Sequence, residues 1–113
     1  MHELSVTESV LRIALEHGQR AGARRITAVQ LVIGDMAGFV NDSIQFYFDL
    51  LSRGTPAEGA QLRFERVATR LRCRQCGCEF APEGTDWRCP QCQAWAGEVL
   101  AGKEFYIDSI EIE

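Results

Sequence analysis

The chain has 113 residues, enough for one domain with a modest core or for one small domain plus a metal-stapled module. Its 46% hydrophobic and 25% charged fractions are those of a soluble globular protein, and a net charge of −4 argues against nucleic acid as the default partner. No apolar run of about eighteen residues and no charged-then-apolar leader is present, so neither a membrane span nor a signal peptide is expected.

Met1-His2-Glu3 opens the chain without a spacer, and Ser5-Val-Thr-Glu8 then has the form of a capping box. A first helix is predicted from there, with Val6, Val10, Ile13 and Ala14 on its buried face, Glu16 paired with Arg20, and Gly22 as the stop. Ile26 to Ile33 alternates and is β-branched, which predicts a strand with Val29, Leu31 and Ile33 on one face, ended by Gly34. A loop over 35–40 leads to a second helix, capped by Asn41 and buried through Ile44, Phe48 and Leu51. Phe46, Tyr47 and Leu50 widen that stripe as core packing, and Gly54-Thr-Pro56 ends the helix.

Leu62, Phe64 and Val67 predict a second strand that runs straight into a cysteine-rich segment. The chain returns as a strand from about Lys103 to Ile112, with a bulge expected near Asp108 because Phe105 and Ile107 share one face and Ile110 and Ile112 the other. The expected architecture is therefore α+β: a small mixed sheet of about three strands with two helices, plus an inserted zinc-ribbon-like module. In domain terms, residues 1–69 and 101–113 form an α/β domain and 70–100 the inserted metal-binding domain.

The inserted segment reads Cys73-Arg-Gln-Cys76, twelve residues, then Cys89-Pro-Gln-Cys92. Two C-x-x-C pairs at that separation are the four-thiolate signature of a structural zinc site, since each pair forms a tight knuckle and both can point at one ion. Four thiolates close the tetrahedron and leave no open position for a substrate, which excludes zinc catalysis. Disulfides would suit a secreted chain, and a redox C-x-x-C occurs singly, whereas iron in the same four sulfurs is chemically allowed. Cysteines with metal spacing and no secretory signal imply a reducing cytoplasm. Cys78 follows Cys76 too closely to join the tetrahedron and is read as a free thiol beside it. Arg70, Arg72, Arg74 and Arg88 flank the site and would offset its surplus negative charge.

His2 has a different significance. A histidine at position 2 brings together the α-amine of Met1, its own amide nitrogen and its imidazole. Amine and amide form a five-membered chelate ring, amide and Nδ1 a six-membered one, an array suited to square-planar Ni²⁺ or Cu²⁺. Taken alone, a histidine near a terminus is more often simply solvated. His17 needs only the dipole of the first helix's C-terminal end to account for it.

The start Met1-His2-Glu3-Leu-Ser, the segment Gly59-Ala-Gln-Leu, the two C-x-x-C pairs and the close Ile107-Asp-Ser-Ile-Glu-Ile together resemble the HypA/HybF family over essentially the whole chain. These are nickel metallochaperones for the maturation of nickel–iron hydrogenases. The resemblance implies a nickel-binding α/β domain carrying a zinc domain. Nickel would be held transiently at the N-terminus by His2, with Met1 and Glu3 as contributors, and structural zinc by Cys73, Cys76, Cys89 and Cys92. It also implies a nickel-handling maturation GTPase and the hydrogenase large subunit as partners, with a weak homodimer, no nucleic acid and no membrane. The sequence departs from the family pattern in Cys78, which is not a ligand position, and in Gln93, where glycine often completes the second knuckle. No nucleophile arrangement and no phosphate-binding loop is legible, so the chain is expected to be a carrier and not an enzyme, with no catalytic residues. The alternative is a zinc-ribbon module binding protein or nucleic acid, which Arg63, Arg66, Arg70, Arg72, Arg74 and Arg88 would serve.

Overall fold

A computed structural model describes residues 3–113. The chain falls into two compact units. The first comprises residues up to Val32, Phe39–Glu65 and Tyr106–Glu113, and the second Ile33–Gly38 and Arg66–Phe105.

The first unit is built on helix α1 (Glu3–Arg20), strand β1 (Ile26–Gly34), helix α2 (Asn41–Leu51), strand β2 (Gln61–Val67) and strand β6 (Phe105–Ile112), the strands lying in the order β2–β1–β6. Between the strands of this sheet, β1 is central and its residues are buried on both faces, including Ile26, Ala28, Val29, Leu31 and Val32. The alternation predicted for one buried face is therefore only half of the pattern. Helix α1 buries Val6, Thr7, Val10, Leu11, Ala14 and Gly18, a wider stripe than the predicted one, with Ile13 only half-buried. Gly18 is there for space, since a Cβ at that position would lie 3.0 Å from Ile26 Cδ1. Helix α2 buries Ile44 and Phe48 as expected, but Phe46 and Leu50 are exposed rather than packed in the core.

Helix termini depart from the sequence reading at three places. Helix α1 begins at Glu3, so Ser5 lies within its first turn and does not act as its cap. Glu16 pairs back to Arg12 at 3.5 Å and not forward to Arg20. Val40, not Asn41, occupies the cap position of α2, with φ −99° and ψ 127°, and its N–H donates to Glu3 Oε2 at 2.7 Å. The predicted stop of α1 holds in detail. Gly22 sits at φ +71°, its N–H donates to Gln19 O and that of Ala23 to Gly18 O, the paired bonds of a Schellman closure.

The second unit contains a sheet the sequence reading did not anticipate. Strands β3 (Arg70–Cys73), β4 (Glu79–Phe80) and β5 (Gly97–Ala101) are ordered β4–β3–β5, both pairings antiparallel. The second strand does not run straight into the knuckles: β2 stops at Val67 and β3 begins at Arg70. A short 3₁₀ turn, Asp35–Ala37, replaces the expected loop. Gly34 is required for close approach, because a Cβ there would meet Gly102 O at 2.0 Å, and Met36 N–H bonds the same carbonyl at 2.9 Å. In β6 the half-buried positions are Phe105, Ile107 and Ile110, so the inward phase slips by one residue around Asp108. Among the described residues no helix is long and apolar enough to cross a membrane.

Candidate metal centre

Two turns of one design bring four sulfurs together. In the first, β3 ends in Cys73, whose carbonyl accepts from Gly77 N–H at 2.9 Å and whose N–H donates to Cys78 O at 2.8 Å. In the second, Cys89 O accepts from Gln93 N–H at 2.9 Å and Cys89 N–H donates to Ala94 O at 3.0 Å. The fifth residue of each turn must enter the left-handed region, and it does so at φ +77° for Gly77 and φ +66° for Gln93. Gln93 is the only non-glycine residue with positive φ among the described residues. The departure noticed in the sequence is thus a departure in side chain and not in backbone path.

The Sγ atoms of Cys73, Cys76, Cys89 and Cys92 all lie within 4.8 Å of one another. Cys73 and Cys92 are 3.5 Å apart across the knuckles, as are Cys76 and Cys89. A tetrahedron with metal–sulfur bonds of about 2.3 Å has sulfur–sulfur edges of about 3.8 Å, so the donor set has the size and chemistry for one thiophilic dication. Cys73 and Cys89 are buried, Cys76 and Cys92 exposed, so the cluster is anchored in the core on one side and opens to solvent on the other. That core consists of Leu71, Phe80 and the two buried cysteines, with Cys78, Trp87, Ala94 and Val99 packed against it.

The acidities divide the same way. The Cys92 N–H, followed by that of Gln91, pulls the Cys89 thiol down to about 6 against the opposing effect of burial. The Cys76 N–H and, more weakly, that of Gln75 lower Cys73. Cys92 receives an N–H from Ala94, which lowers it, but contact with the Cys73 sulfur together with burial pushes it up to about 12. Cys76 is likewise lowered by the Cys78 N–H and raised on balance by burial and the Cys89 sulfur. Four adjoining sulfurs cannot all ionise alone, because each thiolate disfavours its neighbour, whereas a dication among them stabilises every one. Cys78 is not among the four: it is half-buried beside them, and its thiol points to Glu79 O at 3.7 Å.

Arg66, Arg72, Arg74 and Arg88 around the site are engaged with carboxylates. Arg72 faces Glu98 across the β3–β5 pair and binds it at 2.7 Å, Arg74 reaches the same carboxylate at 3.7 Å, and Arg66 binds Asp35 at 3.1 Å. Arg88 holds Asp86 at 3.0 Å while its guanidinium lies 5.9 Å from the Trp95 ring centre. In the other unit Arg63 binds Glu111 at 2.6 Å. Most of the basic side chains that would have served a nucleic acid are therefore spent on the protein's own acids.

Of the second predicted site, Met1 and His2 lie outside the described residues. Glu3 opens α1, and its carboxylate is already occupied by the Val40 N–H. Its carbonyl accepts from Thr7 Oγ1 at 2.6 Å. The bond to Val40 joins residues 37 apart in sequence, and no local pattern in the chain announces it. His17 sits exposed in the last turn of α1, where its position needs no further role.

The strain at Gln93 yields a first expected result. A β-carbon in the left-handed region costs roughly 1–2 kcal/mol, and glycine returns part of that gain through the greater freedom of the unfolded chain. Gln93→Gly should therefore stabilise the second unit by about 0.5–1 kcal/mol. Thermal unfolding followed by tryptophan fluorescence would read it, since both tryptophans, Trp87 and Trp95, lie in this unit. A lowered midpoint would mean that the Gln93 side chain contributes more than its backbone loses.

Comparison with known proteins gives a consistent picture. Residues 1–112 match the family model described as HypA, hydrogenase/urease nickel incorporation, metallochaperone. A protein of Dehalococcoides mccartyi named hydrogenase maturation factor HypA is 47% identical over 113 residues, covering 100% of this chain and 95% of that one. Its namesake from Caldanaerobacter subterraneus is 41% identical, with 100% of both chains covered. The solution structure of the Ni metallochaperone HypA from Helicobacter pylori aligns with a TM-score of 0.66 at 24% identity, covering 99% of this chain and 97% of that one. A second HypA solution structure aligns with a TM-score of 0.73, also at 24% identity, covering 100% and 97%. At that identity the two structures speak to the fold alone.

Proposed function

Since the chain belongs to the HypA family of nickel-incorporation metallochaperones acting in hydrogenase maturation, a carrier family and not an enzyme family, we propose that it binds Ni²⁺ at its own N-terminus and delivers it to the hydrogenase large subunit. The observation that carries this reading is the match over residues 1–112, which includes the Met1-His2-Glu3 start. The Met1 amine, the His2 amide nitrogen and the His2 imidazole supply the chelating atoms, and their square-planar preference selects Ni²⁺ over Zn²⁺. A carrier needs a cargo site that is accessible and can be dismantled, and a chain terminus meets both needs.

The four-cysteine site has the opposite character. We assign it to structural zinc on Cys73, Cys76, Cys89 and Cys92, since four thiolates suit a d¹⁰ ion with no geometric demand beyond the tetrahedron. Zinc bound there contributes folding energy to a unit whose own core is small. Cys73 and Cys89 anchor it in the interior, while Cys76 and Cys92 close it from the solvent side. In this reading residues 1–69 and 101–113 are the nickel-binding domain and 70–100 the zinc-binding one. The partners are a nickel-handling maturation GTPase, which provides the nucleotide hydrolysis this chain has no residues for, and the large subunit. The protein works in the cytoplasm, where thiolates stay reduced, and pairs weakly with a second copy.

The two metals should part company under mild chelation. Incubation of the doubly loaded protein with a moderate chelator, followed by metal analysis, is expected to strip nickel while zinc stays at about one per chain. Simultaneous loss of both at the gentlest conditions would show that they do not occupy separate sites of different character.

A further inference from the structure

The exposed residues of helix α2 and the turn after it are Asp42, Phe46, Asp49, Leu50 and Arg53. At helical spacing they share one stripe, roughly 100° wide. Its centre is apolar: Phe46 and Leu50 are both exposed, and the Phe46 ring is steadied by Tyr47, edge to face with 5.5 Å between centres. Its ends carry opposite charges. Asp42 stands in the first turn and Arg53 just past the last, and neither side chain has an ion-pair or hydrogen-bond partner among the described residues. Asp49, at one edge of the stripe, accepts from Gln45 Nε2 at 2.7 Å. Acid at one end, base at the other and two apolar residues between make the stripe complementary to itself when reversed. Laid antiparallel against its own copy about a two-fold axis between Phe46 and Leu50, each Asp42 comes level with the other copy's Arg53. Each Phe46 likewise comes level with the other copy's Leu50, because both pairs of positions are centred on the same point to within about 1 Å.

We propose that the exposed face of α2 is the surface through which the chain pairs with a second copy of itself, antiparallel and two-fold symmetric. This rests on the reading that the chain pairs weakly with itself, and not on where nickel binds. Two large apolar residues per copy bury far less than the about 1,200 Å² of a stable interface, so the pair forms and separates readily. The two Asp49 carboxylates fall on the same flank of such a pair and oppose it, which also keeps it weak. A different protein would need only an apolar patch to cover Phe46 and Leu50. Opposite charges set about 16 Å apart along the helix are matched by a copy of this chain in one direction only.

Sedimentation equilibrium of the tag-free, zinc-loaded protein, from micromolar to millimolar concentration, tests this. The unmodified chain should show a reversible monomer–dimer equilibrium. Phe46→Glu should stay monomeric with unchanged circular dichroism, since the side chain it replaces is exposed. Asp42→Arg and Arg53→Asp each set like charges against each other at both ends of the pair and should weaken it about tenfold or more. They change the net charge in opposite directions, so a shared weakening reports the ends of the pair and not overall repulsion. The double variant Asp42→Arg/Arg53→Asp restores an acid opposite a base at both ends and should pair within about threefold of the unmodified chain. It carries the same substitution in the first turn of α2, so its recovery separates lost pairing from a damaged helix. A single-charge variant that pairs undiminished, a double variant as weak as the single ones, or a dimeric Phe46→Glu would overturn this face as the interface while leaving self-pairing intact. An unmodified chain that is monomeric throughout would remove self-pairing as well and leave the face to a different protein.

Discussion

Replacing Cys73 by Ala should abolish zinc binding and unfold the second unit in one step. Cys73 contributes more than a sulfur: it is 1% exposed and forms the core of that unit with Leu71, Phe80 and Cys89. Its backbone closes the first knuckle through bonds to Gly77 and Cys78. Metal binding to four-thiolate and related structural sites is worth about 10–16 kcal/mol near neutral pH, and in so small a unit that energy is folding energy. Units of this size rarely hold together on apolar burial alone. Zinc content should fall from about one per chain to near zero. Tryptophan emission should shift to the red as half-buried Trp87 leaves the core, whereas the helical circular dichroism of α1 and α2 should persist, because both belong to the other unit. Cys78→Ser is the matched control. Its sulfur is outside the tetrad and hydrogen-bonds Glu79 O at 3.7 Å, and serine keeps its size at the edge of the core, so zinc content and emission should not change. Zinc retained by Cys73→Ala and lost by Cys78→Ser would reverse the ligand assignment.

The ligand spacing made the metal centre readable, because two C-x-x-C turns leave little freedom in where their sulfurs point. Gly22 was readable for a similar reason: a helix closure of this type is a local event, and its bonds join residues 18, 19, 22 and 23. Long-range pairings were harder to see. Strands β3, β4 and β5 are only four, two and five residues long, too short to display a period before the knuckles interrupt them. The cap of α2 could not be read locally either, since its acceptor comes from the start of α1 and the expected Asn41 stands one residue inside the helix. Ser5 misled for a related reason, as the capping-box spacing is present but the helix has already begun at Glu3. The apolar stripe of α2 predicts core packing throughout, yet only Ile44 and Phe48 are fully buried, with Tyr47 and Leu51 half-buried. Phe46 remains 63% exposed.

The second large effect concerns His2. His2→Ala removes the imidazole arm from the proposed chelate and should eliminate specific nickel binding and hydrogenase maturation together. The fold should survive, because α1 is held by contacts of other residues: Glu3 to Val40, Thr7 to Glu3, and the buried Val6, Val10 and Ala14. Residues left ahead of Met1 turn its amine into an amide and delete the other arm. Acid should act in the same direction. The amine and imidazole must be deprotonated to bind metal, and their ordinary pKa values are about 7.7–8.0 and about 6.5. On the proposed chelate, nickel affinity should therefore be greatest above about pH 8 and should fall progressively as the pH drops through both values. Zinc should be held to lower pH, since a dication coordinated by four sulfurs keeps all four as thiolates well below their metal-free range.

The most direct measurement is calorimetric titration of the tag-free, zinc-loaded chain with Ni²⁺, beside His2→Ala and a form extended ahead of Met1. The unmodified chain should take up about one nickel, the extended form should bind more than about tenfold more weakly, and His2→Ala should show no specific uptake. Nickel bound by His2→Ala as tightly as by the unmodified chain would contradict an N-terminal cargo site.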